Sequence, residues 1–257
     1  MPSTFFEWVS FLVDKYGALF LQGAGVTLLI ALVGTGLGFL IGLGVAIVRT
    51  AELRAEAGAL PQALLHAAKG LLTAYIEIFR GTPMIVQAMV VYYGALEYLG
   101  LDIPAMTAAF LVVSVNTGAY MAEILRGGIL SVDPGQKEAA IAVGMTHWQT
   151  MTSVILPQAV RNTLPSVGNE FVVNIKDSSV LNVISVTELY FMSKSAAGTY
   201  FKYFEVFFIT SVIYFVLTFA VTRLLRLFEK KLSGSDSYTI YGSQSSSKAE
   251  IKVTGEG

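Results

Sequence analysis

Long uncharged hydrophobic runs alternate with short polar segments along this chain. Three runs, Ala18–Val48, Ile103–Ala122 and Val206–Thr222, contain no Asp, Glu, Lys or Arg. A helix needs about 20 apolar residues to cross the hydrocarbon core of a bilayer. Each run therefore predicts a transmembrane helix, the third with help from its flanking aromatic residues.

Two further segments are apolar but carry isolated charges. Residues 67–99 contain Glu77 and Arg80, and Gly81–Pro83 predicts a bend because proline removes a backbone donor. We interpret this segment as one long bent helix. The other segment follows Pro157 and carries Glu170, Lys176 and Asp177. Together the five segments predict an all-α integral membrane protein with five transmembrane helices.

A polar segment between the second uncharged run and Pro157 has strong local signals for two short helices at the membrane surface. Asp133 is a good N-cap and Pro134 a good first helical residue. Gly144 predicts the end of that helix because glycine adopts positive φ at little cost. Thr146 and Gln149 have the spacing of a capping box, which predicts a second helix. The result is a rigid helix-glycine-helix knob, a shape suited to docking.

The sequence of this knob resembles the EAA loop of ABC importer permeases: Glu-Ala-Ala, three residues, Gly, nine residues, then Ile-x-Leu-Pro. The chain has Glu138-Ala139-Ala140, then Gly144, then Val154-Ile155-Leu156-Pro157, with valine at the isoleucine position. Arg80-Gly81-Thr82-Pro83 and Lys176-Asp177-Ser178-Ser179 resemble the polar amino-acid branch of the same family. The resemblance covers about residues 18–231.

This resemblance implies a type I importer permease with a cytoplasmic coupling-helix loop at about residues 131–157. It implies a cytoplasmic ATP-binding subunit as the partner of that loop, a second permease subunit, alike or related, and an extracytoplasmic solute-binding protein. ATP and Mg would be bound by the ATPase partner, and a polar amino acid would be the solute. The coupling residues that the resemblance implies are Glu138, Ala139, Ala140, Gly144, Met145, Leu156 and Pro157.

Composition supports a membrane protein and excludes several other classes. Hydrophobic residues make up 54% of the chain and charged residues 14%, and the mean hydropathy is +0.64. Soluble domains carry about 25% charged residues. The net charge of −1 is uninformative, no basic face suggests nucleic acid, and the absence of cysteine removes thiolate chemistry. No lysine follows a glycine, so the chain has no P-loop, and we expect neither ATPase activity nor a cofactor or metal in it.

The distribution of basic residues predicts the orientation. Arg49, Arg54 and Lys69 flank the first inter-helix loop, and further basic residues flank the knob and follow the last run. The positive-inside rule then places the knob and the C-terminus in the cytoplasm and residues 1–17 outside. Residues 232–257 are rich in serine, glycine and charge, which predicts a disordered tail.

Charged and polar residues in the fourth predicted span are the candidates for a solute pathway. Glu170, Asn174, Asp177 and Ser178 have the spacing of one helix face, and ionisable residues within a span usually face a cavity or one another. A zwitterionic solute needs carboxylates for its ammonium group. The other interpretation is a structural pair in which Lys176 or Arg161 neutralises a carboxylate.

Three further choices stay open at this point. Arg80 either reaches the membrane interface or shapes the inner end of the pathway. Gly34, Gly38 and Gly42 form a small-residue stripe that serves either plain helix packing or a moving contact. The other function class is an ion-gradient-driven secondary transporter or channel that uses Glu170 and Asp177.

Residues 186–197 predict a short interfacial helix.

Overall fold

The prediction of an all-helical protein is confirmed. A computed structural model describes residues 2–52 and 58–232. Arg54 and the predicted disordered tail, apart from Leu232, lie outside the described residues. In chain order the helices are α1 (Phe5–Thr50), α2 (Ala59–Gly81), α3 (Met84–Leu99), α4 (Ala105–Leu130), α5 (Pro134–Ala142), α6 (His147–Thr150), α7 (Leu156–Asp177), α8 (Leu189–Tyr200) and α9 (Tyr203–Leu232).

The most extensive contact between two of the described helices is that of α1 with α4. Gly34, Gly38 and Gly42 of α1 lie directly against Val113, Thr117 and Met121 of α4, in that order. Small residues at four-residue spacing let two helix backbones approach closely. The stripe is therefore a packing contact in this structure.

The first helix begins earlier than the hydrophobic run predicts. Its N-cap is Thr4, whose hydroxyl accepts from the Glu7 N–H while the Glu7 side chain accepts from the Thr4 N–H. This capping box starts the helix at Phe5 and not near Ala18. Residues 5–17 are thus helical and continuous with the span.

The long bent helix predicted for residues 67–99 is wrong in one respect, because the chain breaks there instead of bending. Thr82 is extended, with φ −119° and ψ 145°, and separates α2 from α3. Pro83 explains this conformation, since the proline ring disfavours helical geometry at the preceding residue. The chain therefore forms a corner between two separate helices, whereas the sequence predicts one bent helix.

The second helix of the knob is not short. It passes through a π-helical turn, Met151–Ile155, directly into α7. Pro157 has no N–H for the carbonyl four residues before it, and a π turn at this point accommodates that loss without ending the helix. The knob and the fourth predicted span are therefore one continuous element.

The segment predicted as a short interfacial helix, residues 186–197, includes most of α8, which has one buried face and one exposed face with Lys194 and Ser195. α8 packs between α1 and α9, and Leu189, Ser193 and Ala197 are fully buried. Glu188 is the buried N-cap of α8, and its carboxylate accepts from the N–H groups of Tyr190 and Phe191 at 2.8 and 2.7 Å. These two hydrogen bonds offset the cost of burying the carboxylate. Glu188 therefore lies in the interior and not on a solvated face.

Among the described helices, three are long and apolar enough to cross a membrane: α1, α4 and α9. α3 is apolar but shorter. Breaks at Thr82–Pro83 and after Asp177 divide the remaining apolar segments. α2 and α7 still have 23 and 22 residues, so their polar residues and not their length set them apart from the three apolar helices.

Candidate functional site

A large cavity opens between the α2–α3 corner, α4 and α7. Its volume is about 920 Å³, which is room enough for a small solute with its water. The lining is mixed polar and apolar. It consists of Arg80, Gly81, Thr82, Pro83, Met84, Asn116, Tyr120, Glu123, Ile124, Pro165, Ser166, Asn169, Glu170, Val173, Asn174 and Asp177.

One wall of this cavity carries three of the four residues predicted on the α7 face. Glu170 is 7% exposed and Asn174 is 4% exposed, whereas Asp177 is exposed. The Asn174 amide donates to the Thr35 hydroxyl at 2.8 Å and its oxygen accepts from Thr117 at 3.1 Å. Asn174 therefore ties α7 to α1 and α4, and the two carboxylates supply the negative charge of the wall.

Ser178 does not join this wall. α7 ends at Asp177, and Ser178 begins a 3-10 segment, Ser178–Ile184, in which the α-helical spacing no longer applies. Its hydroxyl is fully buried and donates to the Ile175 carbonyl at 3.0 Å. Among the described residues no ion pair joins Asp177 to Lys176 or Arg161, but Lys176 interacts electrostatically with the neighbouring Asp177, so the alternative of a structural pair stays a prediction.

The opposite wall is the corner between α2 and α3. Arg80 lies over the ring of Tyr120, with its guanidinium carbon 5.2 Å from the ring centre. The Gln87 amide donates to the carbonyls of Phe79 and Thr82, both at 3.0 Å, and Asn116 donates to Phe79 at 3.1 Å. The carbonyls of Phe79 and Thr82 are therefore already hydrogen-bonded within the chain and are not available to a solute. Arg80 is the cationic group of this wall.

A charged cluster contributes to the lining of the cavity through Glu123. Glu123 lines the cavity and accepts from both Arg49 of α1 and Arg126 of α4. Sequence reasoning missed Glu123, Asn116 and Tyr120. A single amide in the uncharged run of α4 was the available signal for Asn116, since amides in spans usually bond across helices.

The knob forms the second candidate site, and its local predictions are confirmed. The Asp133 carboxylate accepts from Gly135 at 2.7 Å, Gly144 has φ +83°, and Thr146 and Gln149 form the capping box. The Gly144 corner brings the Met145 N–H back to the Ala140 carbonyl at 3.0 Å. This is the glycine-terminated helix end that the sequence predicts.

The predicted coupling residues are not all on the outside of the knob. Glu138, Ala139, Gly144 and Pro157 are exposed, and Met145 and Leu156 are half-buried. Ala140 is only 5% exposed, because it faces the inside of the knob. Its small size serves the packing of this chain, and a partner surface cannot rest on it.

Large apolar side chains are also exposed on the knob. Ile141, Val143 and Trp148 are 56%, 78% and 63% exposed. Exposed apolar groups gathered on a polar segment are typical of an interaction surface. The exposure of these side chains could not be predicted from the sequence, because it depends on how α5 and α6 pack together.

A salt bridge fixes the knob to the loop between α1 and α2. Lys137 donates to Glu52 at 2.7 Å, and its ammonium holds the pKa of the Glu52 carboxyl below the ordinary value. Both side chains are exposed, so the pair contributes orientation and little stability.

Comparison with known proteins shows what the chain is similar to. Residues 59–234 match the family model for the binding-protein-dependent transport system inner membrane component. The glutamine transport system permease protein GlnP of Escherichia coli K12 is 35% identical over 83% of this chain and 93% of its own length. The arginine transport system permease protein ArtQ of Bacillus subtilis is 32% identical over 84% of this chain and 93% of its own length.

Solved structures show the same fold. An amino acid ABC transporter crystallised with histidines superposes with a TM-score of 0.76 and 38% identity, over 90% of this chain and 100% of the other. The MetNI methionine ABC transporter superposes with a TM-score of 0.71 at 20% identity, over 85% of this chain and 98% of the other. The chain therefore belongs to the family of binding-protein-dependent transport system inner membrane components, the permease subunits of ABC transporters.

Proposed function

We propose that this chain forms the translocation pathway for polar or charged amino acids in an ATP-driven importer, and that α7 couples the pathway to an ATPase. The observation that carries the proposal is the continuity of α6, the π turn and α7. One end of this element belongs to the exposed knob, and the other end holds Glu170 and Asp177 in the cavity. A displacement of the knob is therefore transmitted to the carboxylates.

The walls of the cavity suit a zwitterion. Glu170 and Asp177 on α7 attract an ammonium group, and Arg80 across the cavity attracts a carboxylate. Charge-assisted hydrogen bonds of this kind are stronger than neutral ones. The similarity to permeases named for glutamine and arginine, and to an amino acid transporter crystallised with histidines, supports the same solute class.

The knob is the proposed contact with a cytoplasmic ATP-binding subunit. Glu138, Ala139 and Gly144 lie on its outside, and Ile141, Val143 and Trp148 supply apolar surface. ATP and Mg are bound by that subunit. A second permease subunit and an extracytoplasmic solute-binding protein complete the proposed assembly.

Five membrane crossings fit the order of the helices. α1, α4 and α9 each make one crossing, α2 with α3 makes another, and α7 with the 3-10 segment and α8 makes the fifth. The basic ends near Arg49, Arg126 and Arg223 then share one side, which the positive-inside rule makes cytoplasmic. The N-terminus is outside and the C-terminus inside.

Uptake by the reconstituted assembly tests the proposal. Vesicles should be prepared with the chain, its ATPase and its binding protein. They should accumulate a labelled amino acid only when ATP is present on the side of the membrane where the knob lies. Uptake should persist when a protonophore and a cation ionophore abolish ion gradients. Gradient-driven uptake without ATP would instead support the ion-coupled transporter and overturn the importer assignment.

A further inference from the structure

A basic groove lies on the face of α7 that points away from the amino-acid cavity. Its volume is about 240 Å³, and it is lined by Val172 and Lys176 of α7 and by one face of α9. Lys176 follows Glu170 and precedes Asp177, but a step of about 100° per residue turns its side chain away from theirs. Lys176 is exposed and lines only this groove among the two cavities described.

The α9 wall is ordered from apolar to cationic along the helix. Phe215 and Phe219 come first, Thr218 and Thr222 lie beside and after them, and Arg223 and Arg226 follow. These positions recur at three- and four-residue spacing, so they share one face. An anionic phospholipid has the same order, with acyl chains, then ester oxygens, then a phosphate.

Arg223 and Arg226 form no ion pair with the described residues, whereas Lys176 interacts electrostatically with the neighbouring Asp177. The ion pairs formed among those residues involve Arg49, Arg126, Lys137 and Lys202, and none involves Lys176, Arg223 or Arg226. The Arg223 guanidinium rests 4.8 Å from the centre of the Phe219 ring. Glu229 lies further along α9 beside Gly168 and is not part of the lining. The groove therefore presents two arginines outside any ion pair of the described residues, beside aromatic rings.

We propose that this groove binds one anionic phospholipid, with its phosphate among Lys176, Arg223 and Arg226 and an acyl chain against Phe215 and Phe219. α9 is the least buried of the three long apolar helices, so lipid has access to it. Basic pockets between transmembrane helices bind anionic headgroups in this manner. The inference needs only insertion in the membrane, and it goes beyond the proposed amino-acid transport.

A consequence follows for α7. The lipid contacts the back of the helix whose front holds Glu170 and Asp177 and whose start continues from the knob. Anionic lipid in the groove would fix the position of α7 relative to α9.

Native mass spectrometry of the full chain in uncharged detergent tests the site. Phosphatidylglycerol should bind as one tightly held molecule, and phosphatidylcholine with the same acyl chains should bind far less. Each of Lys176→Gln, Arg223→Gln and Arg226→Gln should weaken phosphatidylglycerol binding about fivefold. Lys230→Gln removes a charge from the same helix outside the groove and should leave binding unchanged. Equal weakening by Lys230→Gln, or full binding by the Arg223→Gln, Arg226→Gln pair, would overturn the proposal.

Two further arms separate lipid from other occupants. Inorganic phosphate at the lipid's concentration should not displace phosphatidylglycerol, and displacement would assign the site to a free anion instead. A photoreactive phenylalanine at position 219 should give a phospholipid adduct in membranes. Cross-linking to a second copy of the chain in place of lipid would show that a subunit covers the groove, and would overturn the lipid assignment.

Discussion

At the scale of single residues, the two cavity carboxylates differ in their surroundings. Glu170 is nearly buried in the wall, whereas Asp177 stands at the exposed end of α7. Under the proposed function, Asp177 is therefore the carboxylate that an entering ammonium group reaches without rearrangement of the helix. The Asn174 amide is hydrogen-bonded to Thr35 and Thr117, so its role in this structure is to hold the wall of the cavity together.

Asp177→Asn should weaken amino-acid binding about tenfold or more, since a hydrogen bond to a charged group contributes roughly 1.5–3 kcal/mol. The concentration dependence of solute-stimulated ATP hydrolysis in the assembled transporter measures this change. Ser178→Ala is the matched control, because Ser178 adjoins Asp177 but bonds to Ile175 outside the cavity. Normal affinity in Asp177→Asn, or equal losses in both variants, would contradict the proposed role.

At the scale of helices, the close contact of α1 with α4 leaves no room for side chains at the glycine stripe. A Cβ built on Gly42 would lie 2.4 Å from Met121 Cβ and 2.7 Å from the Ala122 nitrogen. On Gly44, two residues further along α1, it would meet nothing within 4 Å. The two glycines therefore make a matched pair.

Gly42→Ala should destabilise the fold by about 1–3 kcal/mol, because the overlap forces α1 and α4 apart. Thermal unfolding of the purified chain in detergent should show a lower midpoint for Gly42→Ala and an unchanged midpoint for Gly44→Ala. Equal midpoints for both variants and the parent chain would mean that the contact is loose enough to move.

The knob gives a second test at this scale. Gly144→Val should reduce co-purification with the ATPase while the protein still inserts, because φ +83° strains a residue with a Cβ by about 1–2 kcal/mol. Gly127→Val is the control, since that glycine of α4 lacks a positive φ and a Cβ there meets nothing within 4 Å. Membrane levels of both variants must be measured in parallel. Normal assembly of Gly144→Val would show that the corner is unimportant for docking.

Burial changes how the rest of the knob should be probed. A large residue at Ala140 would deform the knob from inside, so failed docking there would not identify a partner contact. Trp148→Ala and Val143→Ser remove exposed apolar surface and leave the packing of the knob intact. These positions are therefore better probes of the partner surface.

At the scale of the whole molecule, the proposed function divides transport between this chain and an ATPase. The chain has no P-loop, and its described residues form two candidate sites, a cavity and an exposed knob. We predict that the purified chain hydrolyses no ATP by itself and that hydrolysis appears on addition of the cognate ATPase. A phosphate-release assay with a catalytically inactive ATPase as control measures this. Sustained hydrolysis by the chain alone, free of contaminants, would contradict the division of labour.

The sequence alone determined the features that depend on neighbouring residues. Capping at Asp133 and Thr146 and the positive φ of Gly144 follow from local hydrogen bonds and sterics, which act over a few positions. Long uncharged runs likewise determined α1, α4 and α9, because transfer into lipid depends on composition. The spacing around Glu138 and Gly144 was specific enough to identify the family.

Only the tertiary structure decided which residues meet and which are covered. The pairing of Arg80 with Tyr120, the burial of Ala140 and Glu188, and the turning of Lys176 toward α9 depend on distant parts of the chain. Burial is a property of packed surfaces, so a charge can be an internal cap and an apolar side chain can be exposed. The structure also decided that the knob and the cavity are connected through α7. The π turn at Met151–Ile155 carries the helix past Pro157 instead of ending it.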